Sequence, residues 1–210
     1  MADSKQLEAW LDEINQAVKI QPKTSWTVAR MRLVVPSLDQ SRGLAAVDNV
    51  TAAGACNAHV VSTRINKSTS RIELETTFNE FDLRGVGHLV GPFRILLQSG
   101  KTAKGAFRQR YANSLFPLQG EWEVPLEIET RMGRMIPRPT EPPVLLRSAE
   151  PGEMQIPPIG TWFEKWDPIS LVSRDAPEGP TLAIIEHAMH VMLNVGSKPE
   201  VPPFYHNGVS

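Results

Sequence analysis

The strongest constraint on the fold is the alternation of apolar and acidic residues in segment 121–130. Four apolar side chains alternate there with four glutamates: Trp122, Val124, Leu126 and Ile128 with Glu121, Glu123, Glu127 and Glu129. Successive side chains of a strand point to opposite faces, so this pattern predicts a strand with one buried and one solvated face. Such strands are typical of antiparallel sheets.

Three other segments show the same period of two. Residues 25–35 alternate in this way, and Pro36 follows them. Residues 59–65 and 71–81 flank a polar five-residue turn, which predicts a hairpin. The predicted antiparallel sheet therefore contains 25–35, 59–65, 71–81 and 121–130.

Helices are predicted at both ends of the chain. Residues 4–19 place apolar side chains at steps of three and four, and Asp3 or Ser4 can cap the start. The apolar residues of this stripe include Leu7, Trp10, Leu11 and Ile14. Residues 180–195 show a similar stripe, with Leu182, Ile185, Met189 and Met192. The alanine-rich segment 42–56 and segment 102–115 are further helix candidates.

Proline is concentrated late in the chain, where ten of the 18 prolines lie between 137 and 180. Proline lacks a backbone donor, so segment 137–177 is predicted to be an irregular wrap. The predicted fold class is α+β: a mostly antiparallel sheet with amphipathic N- and C-terminal helices and this wrap. The predicted organisation is an N-terminal helical arm at 1–22, a single core at 23–196 and a C-terminal tail at 197–210.

Composition excludes several classes of protein. The formal net charge is −1, so any affinity for nucleic acid must come from a local patch. Cys56 is the single cysteine, which rules out an internal disulfide and favours a buried apolar role. The N-terminus lacks the apolar run of a signal peptide, and a cytoplasmic location, or a virion if the protein is viral, is expected.

The clearest local signal is charge segregation. No acidic residue occurs between Asp82 and Glu121. Six cations lie in that interval, with aromatic residues between them: Arg84, Arg94, Lys101, Lys104, Arg108 and Arg110, with Phe107 and Tyr111. Cations neutralise phosphates and aromatic rings stack on unpaired bases, so this segment predicts a site for RNA or single-stranded DNA. Alternatively, the segment pairs with the glutamate face of 121–129.

Two nucleotide motifs are nearly present in the same region. The run Ser99 to Thr102 resembles the end of a P-loop, but Ile95 occupies the position of its first glycine. The run Gly85 to Gly91 departs from a dinucleotide fingerprint because its third glycine is one residue late. The run Lys101 to Arg108 loosely resembles the Gly-Lys-Gly-x-x-Arg segments of CRISPR repeat-associated RNA-binding subunits. That resemblance covers eight residues without a ferredoxin-like repeat and assigns no family.

No catalytic or metal-binding constellation is evident. Glu186, His187 and His190 lie together in segment 180–195, but a third metal ligand is missing. The sequence contains no nucleophile elbow. No cofactor and no catalytic residue are therefore predicted.

These features favour a non-enzymatic structural or assembly protein that contacts nucleic acid through 84–111, of viral coat, matrix or nucleocapsid type. The apolar stripe of the N-terminal helix either docks on its own core or contacts a second copy, with Trp10 as the anchor. Three alternatives remain: a protein–protein adaptor, a CRISPR-like RNA-binding subunit, and an enzyme that binds a phosphate-bearing ligand at 85–105.

Overall fold

The structure, a computed structural model, describes residues 3–19, 25–36, 45–148 and 160–193. These ranges contain one helix, α1 (Ser4–Lys19), and twelve strands. The strands are β1 (Ser25–Pro36), β2 (Ala45–Asn66), β3 (Arg71–Gly87), β4 (Gly91–Leu97), β5 (Ala103–Gln109), β6 (Leu118–Val124), β7 (Leu126–Thr130), β8 (Gly133–Pro137), β9 (Val144–Ser148), β10 (Trp162–Lys165), β11 (Ile169–Ser173) and β12 (Ala183–Leu193). The predicted tail at 197–210 lies outside the described residues.

The twelve strands form a closed antiparallel barrel. Four pairs of short strands each act as one interrupted barrel strand: β4 with β5, β6 with β7, β8 with β9, and β10 with β11. Each interrupted strand pairs with its neighbours in chain order, which leaves eight barrel strands in an up-and-down arrangement. The last strand, β12, pairs with β1 and closes the sheet. A barrel of eight strands has an interior just wide enough for side chains or one small ligand.

The predicted α+β class was wrong. Strands make up 65% of the structure and helix only 8%. Of the predicted helices only the N-terminal one forms, and Asp3 caps it by accepting a hydrogen bond from the Gln6 amide at 2.8 Å. The other three predicted helical segments are wrong: 42–56 overlaps the first part of β2, and 102–115 and 180–195 contain β5 and β12.

The alanine-rich segment is extended because its small residues face a crowded interior. Ala52, Gly54 and Cys56 point inward along β2. The same arrangement recurs where an added Cβ at Gly105 would lie 2.5 Å from the Trp122 ring. Small residues opposite large rings are common in small barrels. Packing therefore overrides the helix propensity of alanine here.

The C-terminal segment imitates a helix because its strand contains a bulge. Arg32 of β1 pairs with His187, but the next residue, Leu33, pairs with Ile185. Glu186 is therefore the extra residue of a β-bulge, which shifts the alternation by one position. Ala183, Ile185, Ala188, His190 and Met192 consequently face the interior. Because of this inserted residue, the spacing of the apolar residues in the sequence resembles the three- and four-residue spacing of an amphipathic helix.

The helix α1 docks on the barrel of its own chain. Leu7 and Ile14 are buried in the same apolar cluster as the barrel interior. The Thr63 hydroxyl, on the long hairpin of β2 and β3, donates a hydrogen bond to the Asn15 amide oxygen at 2.6 Å. The helix thus lies against the part of this hairpin that extends beyond β1. Trp10 and Leu11 pack against the cluster and remain partly exposed.

The predicted irregular wrap at 137–177 contains barrel strands. β9, β10 and β11 lie within it, each only four or five residues long. Within the described part of this segment, prolines lie only at strand ends and in the breaks between strands, for example Pro142, Pro143 and Pro168. At these places a missing backbone donor breaks no ladder hydrogen bond. Residues 149–159 of the wrap lie outside the described part.

Cys56 is buried and unpaired at an inward position of β2. Burial, with a smaller contribution from the charge of Glu80, raises the pKa of its thiol. Because the thiolate is the reactive form, we expect native protein to react with iodoacetamide at least about 100-fold more slowly than unfolded protein. Mass spectrometry of timed samples measures this ratio. Equal rates in both states would contradict the placement of Cys56.

Candidate ligand-binding site

The residues of the predicted basic segment lie on β3, β4 and β5 and in the turns that follow β4 and β5. Arg94 on β4 lies 2.8 Å from Asp82 and 3.6 Å from Glu129. Its hydrogen bond to Asp82 is the main cause of the lowered pKa of that carboxyl group. Arg84 also pairs with Asp82, and Arg108 lies 4.0 Å from Glu121. These arginines therefore contact carboxylates of the same chain.

The aromatic residues of that segment are separated by the barrel wall. Phe107 points inward, and its ring meets the Trp122 ring edge-on at 5.2 Å. Tyr111 is 49% exposed and lies beneath the Arg110 guanidinium at 5.4 Å. Lys101 and Lys104 line an outer groove described below. The structure thus does not bring the eight predicted nucleic-acid residues onto one surface.

The barrel interior contains an apolar cavity with a volume of about 40 Å³. Every barrel strand except β2 contributes to its wall. The lining residues are Ala29, Met31, Phe81, Ile95, Val124, Leu126, Val144, Leu146, Ile169, Ile185, Ala188, Met189 and His190. The side chain of Met31 is unbranched and can repack around an added group. The wall of the cavity is apolar, and His190 is the one ionisable residue among those that line it.

His190 is enclosed by aromatic rings and is only 2% exposed. The centroids of Phe78, Phe81 and Phe163 lie 5.7 to 6.3 Å from its own. Its Nε2 atom is 2.9 Å from the Thr27 hydroxyl, whereas its Nδ1 atom has no hydrogen-bond partner among the described residues. A buried polar atom without a partner is unfavourable by about 1–3 kcal/mol. The wall of the cavity is entirely apolar, so this nitrogen does not face the cavity.

Burial lowers the pKa of His190 to about 4, against an ordinary value of 6.5. The unfolded chain therefore binds a proton on this residue between pH 6.5 and 4 while the folded chain does not. The corresponding stability is present above pH 6.5 and is lost as the pH falls towards 4. We expect a loss of about 2 kcal/mol between pH 7 and pH 5.

Urea unfolding at these two pH values measures that loss. The matched control is His190→Phe, which keeps a ring of similar size but cannot bind a proton. This variant should lose clearly less stability over the same pH interval. An identical pH dependence in both proteins would show that His190 is not buried in neutral form.

Two further inward-facing polar atoms lack partners within the described part of the chain. These are Thr76 Oγ1 and Trp122 Nε1. They lie on either side of Gly105 in neighbouring strands, since Thr76 and Trp122 both pair with that glycine. Both groups can donate a hydrogen bond. The part of the barrel interior nearest to α1 therefore contains two hydrogen-bond donors without an acceptor among the described residues.

The barrel wall beside the cavity is interrupted. β6 and β9 pair as far as Val124 and Val144, and the pairing resumes only at Ile128 with Met135. An outer groove of about 600 Å³ covers this break, and its wall includes Lys101, Lys104 and Arg138. Val124 and Val144 line both the groove and the cavity. These two valines therefore contact both the interior and the outer groove.

No metal centre is present in the described ranges, since no three His, Cys, Asp or Glu side chains lie together. His187 and His190 do not form a pair, because only His190 lines the cavity and Trp166 stacks on His187 at 4.1 Å.

No described helix has both the length and the apolar character needed to cross a membrane.

The comparisons with known proteins give a fold and no family. No protein-family model and no curated protein matches the sequence. The solved structure of DynF from the dynemicin biosynthesis pathway of Micromonospora chersina is similar, with a TM-score of 0.62 and 15% identity. The similarity covers 82% of this chain and 79% of that chain. At this identity the similarity supports the fold alone.

The sequence analysis missed the site because its residues come from almost every strand. His190 was noticed, but only as a polar residue beside a helical stripe. The alternation of Ala188, His190 and Met192 was the available signal. A histidine in the apolar phase of a strand indicates a buried imidazole.

Proposed function

We propose that this protein binds a small apolar molecule, or the apolar end of a larger one, inside the barrel. The observation that carries the proposal is the interior cavity, whose wall is entirely apolar and is contributed by almost every strand of the barrel. Ligand sites combine an apolar lining with a few polar groups that orient the ligand. An eight-stranded barrel can hold one small ligand in this way.

The interrupted wall supports the same proposal. The cavity alone accommodates only a few atoms, but the groove of about 600 Å³ lies directly outside it. A molecule that enters through the break beyond the Val124–Val144 pair would place its apolar end in the cavity. Its remainder would lie in the groove beside Lys101 and Lys104. Together these spaces reach the size range of ordinary ligand pockets.

Xenon is a suitable first probe because it is apolar and small enough for the cavity of about 40 Å³. At ten times its dissociation constant it should raise the melting temperature by about 3 °C, since it binds only the folded state. The variant Ala29→Val fills part of the cavity and should lose most of this shift. The matched control Ala106→Val lies on the exposed face of β5 and should keep it. Equal shifts in all three proteins, or none, would refute the proposal.

A second candidate is contact with RNA or single-stranded DNA, in a self-associating assembly protein. It is supported by exposed or partly exposed cations that have no carboxylate partner in the described part of the chain: Lys101, Lys104 and Arg110. Replacing these three and Arg108 by glutamate should abolish retention of RNA without unfolding the protein. Retention that survives these changes would exclude this segment as the site. Light scattering at low and high salt tests the self-association.

A further inference from the structure

A second outer groove, of about 550 Å³, lies on the barrel wall beside the groove at the break. Residues 141–143 line both grooves. The second groove continues along β9 and β10 and the turn that follows β10. Unlike the interior cavity, it is lined by several charged residues and by a tryptophan: Glu141, Arg147, Glu164, Lys165, Trp166 and Asp167.

Trp166 gives this groove an exposed aromatic ring that is held in place. The residue is 69% exposed, the largest value among the exposed large apolar residues of the described part. Its Nε1 atom donates a hydrogen bond to the Glu164 carboxylate at 2.8 Å, and its ring stacks on His187. His187 does not line the groove. A ring that is already held in one orientation loses little conformational freedom when a ligand packs on it.

The charged groups of the groove already have partners in the chain. Lys165 Nζ lies 3.3 Å from Asp167, and Arg147 lies 3.5 Å from Glu121. An ionic ligand has to compete with these pairs. A carboxylate or a guanidinium nevertheless retains further hydrogen-bonding positions after one pair has formed. Hydroxyl groups both donate and accept, so a neutral ligand with several hydroxyl groups can use both kinds of position.

We propose that this groove binds a neutral sugar, which packs the C–H face of one ring on Trp166. The face of an aromatic ring carries partial negative charge and attracts the partially positive C–H hydrogens of a sugar ring. The sugar hydroxyl groups form hydrogen bonds with Arg147 and Asp167, which are exposed side chains. Glu164 is a positioning residue, because its carboxylate orients the indole. This site is separate from the proposed interior site.

NMR titration with three neutral disaccharides tests the proposal: cellobiose, maltose and N,N′-diacetylchitobiose, each at up to about 50 mM. We expect at least one of them to move the indole N–H resonance of Trp166 in a saturable manner. Trp166→Ala should weaken its binding about tenfold, whereas Trp166→Phe, which keeps an aromatic face, should weaken it less. The matched control is Tyr111→Ala, which removes an exposed aromatic ring elsewhere and should leave the affinity unchanged.

Adenosine distinguishes a sugar site from a general stacking surface, because its base is planar and aromatic. Binding of adenosine at Trp166 without binding of any disaccharide would overturn the proposal. The absence of a shift with all three disaccharides, or equal affinity in wild type and Trp166→Ala, would overturn it as well. Trp166 does not line the interior cavity, so xenon binding should be the same in Trp166→Ala. Failure of the sugar site is therefore distinguishable from failure of the proposed function.

Discussion

Replacing Trp122 by alanine is expected to lower the free energy of unfolding by about 3–5 kcal/mol. The Trp122 side chain is fully buried in the barrel interior. Its ring stacks on Phe78 with a centroid distance of 3.8 Å and meets Phe107 edge-on. Because Gly105 carries no side chain that could fill the space, the loss of the indole leaves a cavity. Urea unfolding at pH 7 measures the change.

The chain offers a control of the same residue type. Trp166 is 69% exposed, although its ring stacks on His187. Trp166→Ala should change the free energy of unfolding by about 0.5 kcal/mol or less, as is typical of surface sites. Similar effects of the two substitutions would mean that Trp122 is not in the interior, and the arrangement of β5 and β6 would have to be revised.

The second large effect is expected at Asp48. Its buried carboxylate accepts hydrogen bonds from the backbone amides of His88, Leu89 and Val90, at 3.1, 2.7 and 3.2 Å. These three amides form the turn between β3 and β4. Asp48→Ala leaves them without this acceptor, and we expect a loss of about 3 kcal/mol in the free energy of unfolding.

Asp167 provides the comparison, because its side chain is 93% exposed. Asp167→Ala should leave stability nearly unchanged, since exposed ion pairs contribute little. Hydrogen exchange gives a second test of Asp48. The amides of residues 88–90 should exchange faster in Asp48→Ala because they lose their acceptor. The amides of β12 should change their exchange rate only by the amount that the change in global stability accounts for. Unchanged protection at 88–90 would contradict the contact.

Part of the sheet could be predicted from the sequence. The predicted strands 25–35 and 121–130 and the predicted hairpin of 59–65 and 71–81 all lie in strands of the barrel, because their side chains alternate between buried and solvated faces. The closure of the barrel could not be predicted, because it depends on pairing between β1 and β12. These strands are about 160 residues apart in the chain, and no local pattern specifies such a pair.

The wrong helix predictions have two distinct physical causes. In β2 the alanines satisfy a packing requirement of the barrel interior that outweighs their helix propensity. In β12 a single extra residue at Glu186 breaks the alternation and produces an apparent helical stripe. A period analysis that allows one inserted residue would have recovered β12 and placed His190 on the buried face.

The candidate site was hidden for a related reason. Its polar group, His190, becomes informative only when Thr27 and three phenylalanine rings surround it. The basic segment attracted attention because its charges are adjacent in sequence. In the barrel, Arg84, Arg94 and Arg108 meet carboxylates of neighbouring strands. Charge segregation along a chain can therefore indicate cross-strand pairing as well as a binding surface.

A crystal structure under xenon pressure tests the central claim most directly. Xenon is apolar and small enough for a cavity of about 40 Å³, and dry apolar cavities bind it. We predict a xenon atom inside the barrel, in contact with Ala29, Ile95 and Ile185. An interior without xenon, with side chains filling the space beside His190, would contradict the claim that the barrel is built to receive a ligand.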